Sequence, residues 1–538
     1  MLASPRSAHR SPAIAAIRNV LFVMCDQLRA DHLSCYGSRQ PGREGRPIVD
    51  TPNIDALAAR GLRFDRAFVQ SGVCGPSRMS TYTGRYASTH GSSWNFVPLA
   101  LTERTLGDHL RDGKGAVKEA HLIGKTHVTA DAAGMRARGM DPASPEGVFA
   151  AEGGFQRIAR HEDTPALRHD YNAWLRAQGY DGADPWAEHA ASGVDESGQV
   201  LTGSLMRNAH LAARVQDAHS ETAYVSDLAI DFIRDKGDSP WVLHLSYIKP
   251  HWPYIVSAPY HDLYRNAELE PLLPHGKNPH PVEAAYRQVD EGQSFGRAEV
   301  ARHVRPAYMG LVKQIDDHLG RVLAALLEAG REQDTLVILT SDHGDFLGDR
   351  GFGDKELFYD EIQNVPLIIA DPRPSADVTR GRSTAELVQA IDLLPTMLEA
   401  LDVARPEPWL EGQSLLPVIA GSGAGHDCVF SELDYAMRET RRFLGRGTFD
   451  NCRGFMARTA DWKYVHWDGY PAQLFDLRAD PLEHVDLGAS PAHADQRAQM
   501  RERLFDWLGR LKRRPTVDGP FIDKLSLGPP PGIFIGKW

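Results

Sequence analysis

The sequence predicts an α/β fold: a large mixed, mostly parallel sheet sandwiched by helices, with a smaller antiparallel sheet plus a helix at the C-terminal end. Three observations predict it. Asn19 to Cys25 (NVLFVMC) and Leu336 to Ser341 (LVILTS) are continuous apolar runs, as expected of strands buried on both faces of a parallel sheet. Both runs end in polar residues, Asp26-Gln27 and Asp342-His343-Gly344-Asp345, as at the carboxyl edge of an open sheet, where ligands bind. After Arg405-Pro406 the segments shorten and become more polar. There Cys428 to Ser431, Phe455 to Thr459, Trp462 to Trp467 and Gln473 to Leu477 read as an antiparallel sheet, followed by a helix from Gln496 to Leu511.

The whole chain sets bounds on function. Its 538 residues allow a large α/β core with insertions. A net charge of -11 argues against a general nucleic-acid binder, so any anion site must be local. The five cysteines (25, 35, 74, 428, 452) include no CxxC, which favours a reducing, cytoplasmic compartment over a disulfide framework. The apolar run near the N-terminus is too short for a signal-peptide core, and no run of roughly 18 apolar residues exists to span a membrane.

In chain order, Asp26 and Gln27 follow the first strand and could either bind a ligand or cap the next helix. Thr51 to Leu57 reads as a helix entry leading to Ser71-Gly72-Val73-Cys74-Gly75-Pro76-Ser77-Arg78, which closes with Thr83-Gly84-Arg85. In that turn Gly72 and Gly75 would let the backbone approach a ligand, and Met79 to Tyr82 would open a helix with amides facing an anion. Arg78, one helical turn past Cys74, would bring a guanidinium fork there. Asn95 is a loop residue. His121 to Gly124 reads as a strand running into Lys125-Thr126-His127, where alternation would put Lys125 and His127 on one face.

The stretch from about 130 to 219 has weak periodicity and reads as an insertion that shapes a substrate mouth or an oligomer contact. Pro240 to Tyr247 is a strand, and Lys249-Pro250-His251-Trp252-Pro253-Tyr254 after it is a Pro-bounded loop carrying a cation and an imidazole. Residues 255–303 form a second irregular insertion. Tyr308 to Leu326 is the clearest amphipathic helix, and Val365 to Ala370 a further buried strand. The expected organisation is a disordered N-terminus (1–18), an α/β catalytic unit (19–404), a C-terminal α+β unit (405–515) and an extended tail (516–538).

Cys-X-Pro-Ser-Arg followed by Thr-Gly resembles the signature of the type I sulfatases, a branch of the alkaline phosphatase superfamily. Leu474-Phe475-Asp476-Leu477, with Asp480-Pro481 and Glu483, resembles the same family's C-terminal strand and turn. The resemblance implies an alkaline phosphatase-like fold and a Cys74 oxidised to formylglycine by a formylglycine-generating enzyme. It further implies one divalent metal (Mn2+ or Ca2+, or Mg2+) on Asp26, Gln27, Asp342, His343 and the modified Cys74. Lys125, His127, His251 and Lys355 would line the anion, Arg78 would hold the cysteine turn, and Asn95 matches a substrate-side asparagine of phosphonate monoester hydrolases and related arylsulfatases. Lys125 and His127 match the dedicated sulfatases, where the phosphonate enzymes carry Tyr and Thr.

The activity implied is hydrolysis of sulfate monoesters by an aldehyde-hydrate nucleophile. Lys355 or His251 would act as acid on the leaving group, and His127 as base for release of sulfate. The alternatives are a phosphonate monoester hydrolase or phosphodiesterase of the same family and a catalytically silent anion binder. A homo-oligomer, dimer or tetramer, is expected. Taken singly, each site residue has a structural reading: the aspartates as helix caps, the histidines as satisfied core groups, the lysines as solvated surface.

Overall fold

The computed structural model describes residues 16–162, 164, 167–276, 279–403, 409–445 and 451–512. The readings of a disordered N-terminus and an extended tail fall almost wholly outside these residues. Among the described residues the main sheet has nine strands. Its principal order runs from Arg382–Thr384 through β2 (Leu62–Phe68), Asn364–Ala370, Thr335–Ser341, β1 (Asn19–Asp26), Val242–Pro250 and β3 (Ala120–Gly124) to β4 (Phe155–Arg160). The short strand Val388–Gln389 also pairs with β2. Every pairing is parallel except those of Asn364–Ala370, which runs antiparallel to both of its neighbours.

The central strands are apolar throughout because both of their faces are covered. In β1, Leu21, Val23 and Cys25 join the core on one side, where the long helix Ala298–Glu328 supplies Leu311, Ile315 and Leu319. Val20, Phe22 and Met24 point the other way, into a core with Met79, Tyr82 and Leu394. This period-2 division is what a two-sided sheet requires.

The sheet adds one strand that the sequence does not mark and corrects one expectation. β2 pairs along the antiparallel strand, although its mixed pattern (LRFDRAF) gives no clean apolar run. The stretch 130–219 is not wholly an insertion, since β4 closes the sheet as a parallel edge strand on β3. The amphipathic helix is also longer than its apolar stripe suggests: it begins at Ala298 and carries Pro306 within it.

At the C-terminal end, Val429–Asp434, Arg453–Arg458, Trp462–Trp467 and Gln473–Asp476 form a four-stranded antiparallel sheet with Ala494–Arg510 packed on it. All five cysteines are free thiols. Among the described residues, no helix is long and apolar enough to cross a membrane.

Candidate active site

Five parallel strands of the main sheet end at one edge, and the segment following each delivers a polar group there. β1 ends in Asp26 and Gln27; Thr335–Ser341 is followed by Asp342 and His343; β3 by Lys125 to His127; Val242–Pro250 by His251. β2 leads into the helix α1 (Cys74–Thr83), with Cys74 as its first residue. The helix therefore begins five residues earlier than the sequence suggests, and Arg78 lies one turn into it.

The Cys74 sulfur is where these groups converge. Lys355 Nζ lies 3.0 Å from it, His343 Nε2 3.2 Å and Asp26 Oδ1 3.9 Å. Burial and the Asp26 carboxylate push the thiol up, but Lys355, Lys125 and His343 outweigh them and hold it well below the ordinary thiol range. Burial likewise opposes ionisation of Asp26, and Lys125, His251, Arg78 and Lys355 reverse this and keep it a carboxylate. Lys125 Nζ sits 2.7 Å from Asp26 Oδ2.

Arg78 does not present a free fork. Its Nε donates to Asp342 Oδ2 at 2.7 Å, and one terminal nitrogen donates to the Lys125 carbonyl at 2.9 Å and to Ser246 Oγ at 2.8 Å. The other reaches Asp26 at 3.4 Å. Its donors go to the ends of three strands and to Ser246 within a fourth, so Arg78 ties the scaffold together instead of meeting an anion, which corrects the expectation of a guanidinium offered to the ligand.

The turn glycines also serve the protein. A Cβ on Gly75 would lie 2.8 Å from Asn95 Oδ1, which accepts the Gly75 N–H at 2.7 Å; a Cβ on Gly72 would lie 2.7 Å from Ile362. Asn95 is thus a clamp on the residue after Cys74.

Lys125 reaches the site, with His127 two residues further along the same turn beside Glu162, by a route other than strand alternation. β3 stops at Gly124, whose φ of +108° and approach to the Ser246 carbonyl exclude a side chain; a Cβ there would be 1.9 Å from that oxygen. His127 itself has φ +57°. The turn is fixed by Glu162, whose Oε1 accepts the backbone N–H groups of Thr126 (3.2 Å) and His127 (2.9 Å). Glu162 gave no signal in the sequence, because it follows β4 in the stretch read as an insertion. In the loop after Val242–Pro250, Lys249 turns away from the site. It pairs with Glu221 at 3.3 Å and donates to the carbonyls of His251 (3.4 Å) and Pro253 (3.1 Å), leaving the imidazole of His251 as the site group.

The donor set suits a metal ion. Asp26, Cys74, Asp342 and His343 offer ligand atoms that all lie within 4.8 Å of one another. Gln27 has its amide nitrogen occupied by Asp345 Oδ2 (2.7 Å) and Tyr254 OH (3.2 Å), so its Oε1 is turned inward, 3.4 Å from Lys355 Nζ. Oxygen and imidazole donors of this kind fit a hard or borderline divalent cation. Asp345 and Tyr254 are functional neighbours that the sequence reading left without a role, although Asp345 closes the Asp342-His343-Gly344 run.

Comparison with known proteins agrees with this geometry. Residues 18–403 match the profile of the sulfatase family, and residues 348–508 match that of the N-sulphoglucosamine sulphohydrolase C-terminal region. The chain is 31% identical over 527 residues to PehA, a multifunctional alkaline phosphatase superfamily protein of Trinickia caryophylli, covering 91% of this chain and 95% of PehA. It is 25% identical to an arylsulfatase of Clostridium perfringens, covering 90% and 93% of the two chains. The structure of the phosphonate monoester hydrolase SpPMH from Silicibacter pomeroyi superposes with a TM-score of 0.78 at 27% identity, covering 95% of this chain and 97% of that one. With strand-end ligands and the cysteine turn assembled at one sheet edge, the chain belongs to the sulfatase family of the alkaline phosphatase superfamily and is a hydrolase.

Proposed function

We propose that the protein hydrolyses sulfate monoesters, with the oxidised side chain of Cys74 as nucleophile. The observation that carries this reading is the convergence of Lys355, His343 and Asp26 on one buried sulfur at the N-terminus of α1. A thiol buried beside a carboxylate is costly as a mere core residue, and the surrounding cations make sense around an anionic group transferred at that point. Asp26, Gln27, Asp342 and His343 would hold one divalent cation, Mn2+, Ca2+ or Mg2+, which when bound supplies positive charge against the ester oxygens.

The remaining work falls to side chains. Lys355, raised well above its ordinary value because Asp354 and Cys74 outweigh the opposing effect of burial, stays protonated and can neutralise charge at the nucleophile or on the departing oxygen. His251 has its Nδ1 2.6 Å from the Trp252 carbonyl, which can only accept, so Nδ1 carries a proton and Nε2 is the atom that exchanges one. His127 keeps a buried Nδ1 without a hydrogen-bond partner, an atom able to take the proton whose removal releases sulfate.

Likeness to SpPMH favours a second reading, a phosphonate monoester hydrolase. Lys125 and His127 separate the two. A sulfate monoester offers a third non-bridging oxygen to a lysine, whereas a phosphonate ester places a substituent there. Lys125→Tyr with His127→Thr is expected to lower aryl sulfate kcat/KM more than phosphonate ester kcat/KM, by about 1–3 kcal/mol in relative transition-state stabilisation. Wild-type preference for phosphonate esters, or equal loss of both activities, would replace the first reading with the second.

A further inference from the structure

Exposure rises in one direction through the site. Asp26, Gln27, Arg78, Lys125, Asp342 and His343 are fully buried and Cys74 is 1% exposed, whereas Lys355, His127 and His251 reach 7–8%. These last three therefore face the opening. The residues beyond them are aromatic: Trp252 follows His251 and is 36% exposed, and Phe96 is 66% exposed with its ring centroid 5.9 Å from that of His127. Only four Phe or Trp side chains are exposed among the described residues; one of them lies against His127 and another belongs to the residue next to His251.

A solitary exposed apolar residue would mean nothing. Phe96, however, has φ +69°, a conformation that a bulky residue adopts only when its surroundings impose it. Among the described residues Phe96 is the most exposed of the large apolar side chains, so burial of its ring does not offset that strain. That conformation belongs to a tight turn in which the Val97 N–H donates to the Trp94 carbonyl at 3.1 Å, with Asn95 beside Phe96 holding the Gly75 N–H at 2.7 Å. Gripping the nucleophile turn with Asn95 turns the next side chain out over His127. Trp252 is tied in a similar way, through its carbonyl to His251 Nδ1.

Resting on the reading of the site as an ester hydrolase, we propose that Phe96 and Trp252 form an aromatic lip that selects esters with a planar, aromatic leaving group. The ester's anionic head is drawn toward the buried cations, so its other half must leave past Lys355, His127 and His251. An aryl group there covers the two rings and gains stacking or edge contacts that a short alkyl chain cannot make.

The test separates binding from turnover. Calorimetry with phenylphosphonate and methylphosphonate on the full-length protein should show the phenyl compound bound ~10-fold more tightly, the return on partial burial of one ring. Phe96→Ala should remove most of that preference, and raise KM for 4-nitrophenyl sulfate by a similar factor with a smaller change in kcat. Trp252→Ala should act in the same sense. Phe96→Gly, which relieves the backbone, should melt no lower than the wild type while losing the same preference, and Phe96→Tyr should restore it.

Equal affinity for the two phosphonates in the wild type would overturn the lip. So would a Phe96→Ala protein that keeps its phenyl preference but changes its oligomeric mass, which would mark an interface between subunits. A wild type that prefers the phenyl compound but turns over no ester would leave the lip standing and remove the hydrolytic reading of the site.

Discussion

Two buried ionic clusters in this molecule look alike by composition and differ in where their donors point. Around Cys74, Asp26 and Asp342 are met by Arg78, Lys125, His343 and Lys355. Where the C-terminal sheet meets the main body, Lys463 pairs with Asp360 at 2.6 Å and Glu483 at 2.5 Å, and Arg350 pairs with Glu361 at 2.9 Å. In the second cluster the leftover donors go to backbone carbonyls: Lys463 to Phe358 at 2.8 Å, and Arg350 to Leu482 at 2.5 Å and Glu483 at 3.1 Å. In the first, Lys355 is directed at a sulfur and at an amide oxygen. Buried charge alone therefore does not mark a functional site. Convergence of cations and ligand-type oxygens on one reactive atom does.

The sharpest way to break the comparison is to remove one lysine from each cluster. Lys355→Met should lower kcat/KM by on the order of 10²–10³-fold, the usual loss for a charge aimed at the reacting group, with the smaller loss of melting temperature of the pair. Lys463→Met should do the reverse. It strands Glu483 and leaves Asp360 only the weaker Arg458 contact at 3.3 Å, and should cost about 3–5 kcal/mol in denaturant unfolding while the folded fraction keeps its turnover. Equal stability losses in the two variants would erase the distinction.

A buried carboxylate outside both clusters gives a smaller effect. Burial pushes Glu432 up to about 7, against the N–H and hydroxyl of Ser88, which donate to it. The folded state then holds a proton that the unfolded chain, with its ordinary glutamate pKa of about 4.3, releases. The contribution of Glu432 is therefore present below that lower value and is lost as pH rises through 7, on the order of 3 kcal/mol across the window. Glu432→Gln should flatten the profile over this range, and an unaltered pH dependence of unfolding would dismiss the effect.

What could be read in the sequence follows from which physics is local. The strands β1, Thr335–Ser341 and Asn364–Ala370 show in their apolar runs, and Asp26, Asp342 and His343 show as the polar residues that end two of them. Cys74 and Arg78 show through a short motif. β2 and β4 do not show, because the polar and charged residues within them (Arg63, Asp65; Gln156, Arg157) hide a strand whose identity comes from its partners. The sequence offers Arg78 for its fork, and only the fold reveals that Asp342, Ser246 and the Lys125 carbonyl engage it. Glu162 and Tyr254 act on the site across long separations in the chain, and no spacing rule reaches that far.

The central claim is that Cys74 works as an oxidised nucleophile, and the mass of the peptide containing it tests this most directly. In active protein that peptide should carry the aldehyde in place of the thiol, react with a hydrazide probe, and be modified in proportion to activity across preparations. Cys74→Ala should then abolish turnover and probe labelling together. Full activity in protein whose Cys74 is an intact thiol would contradict the account.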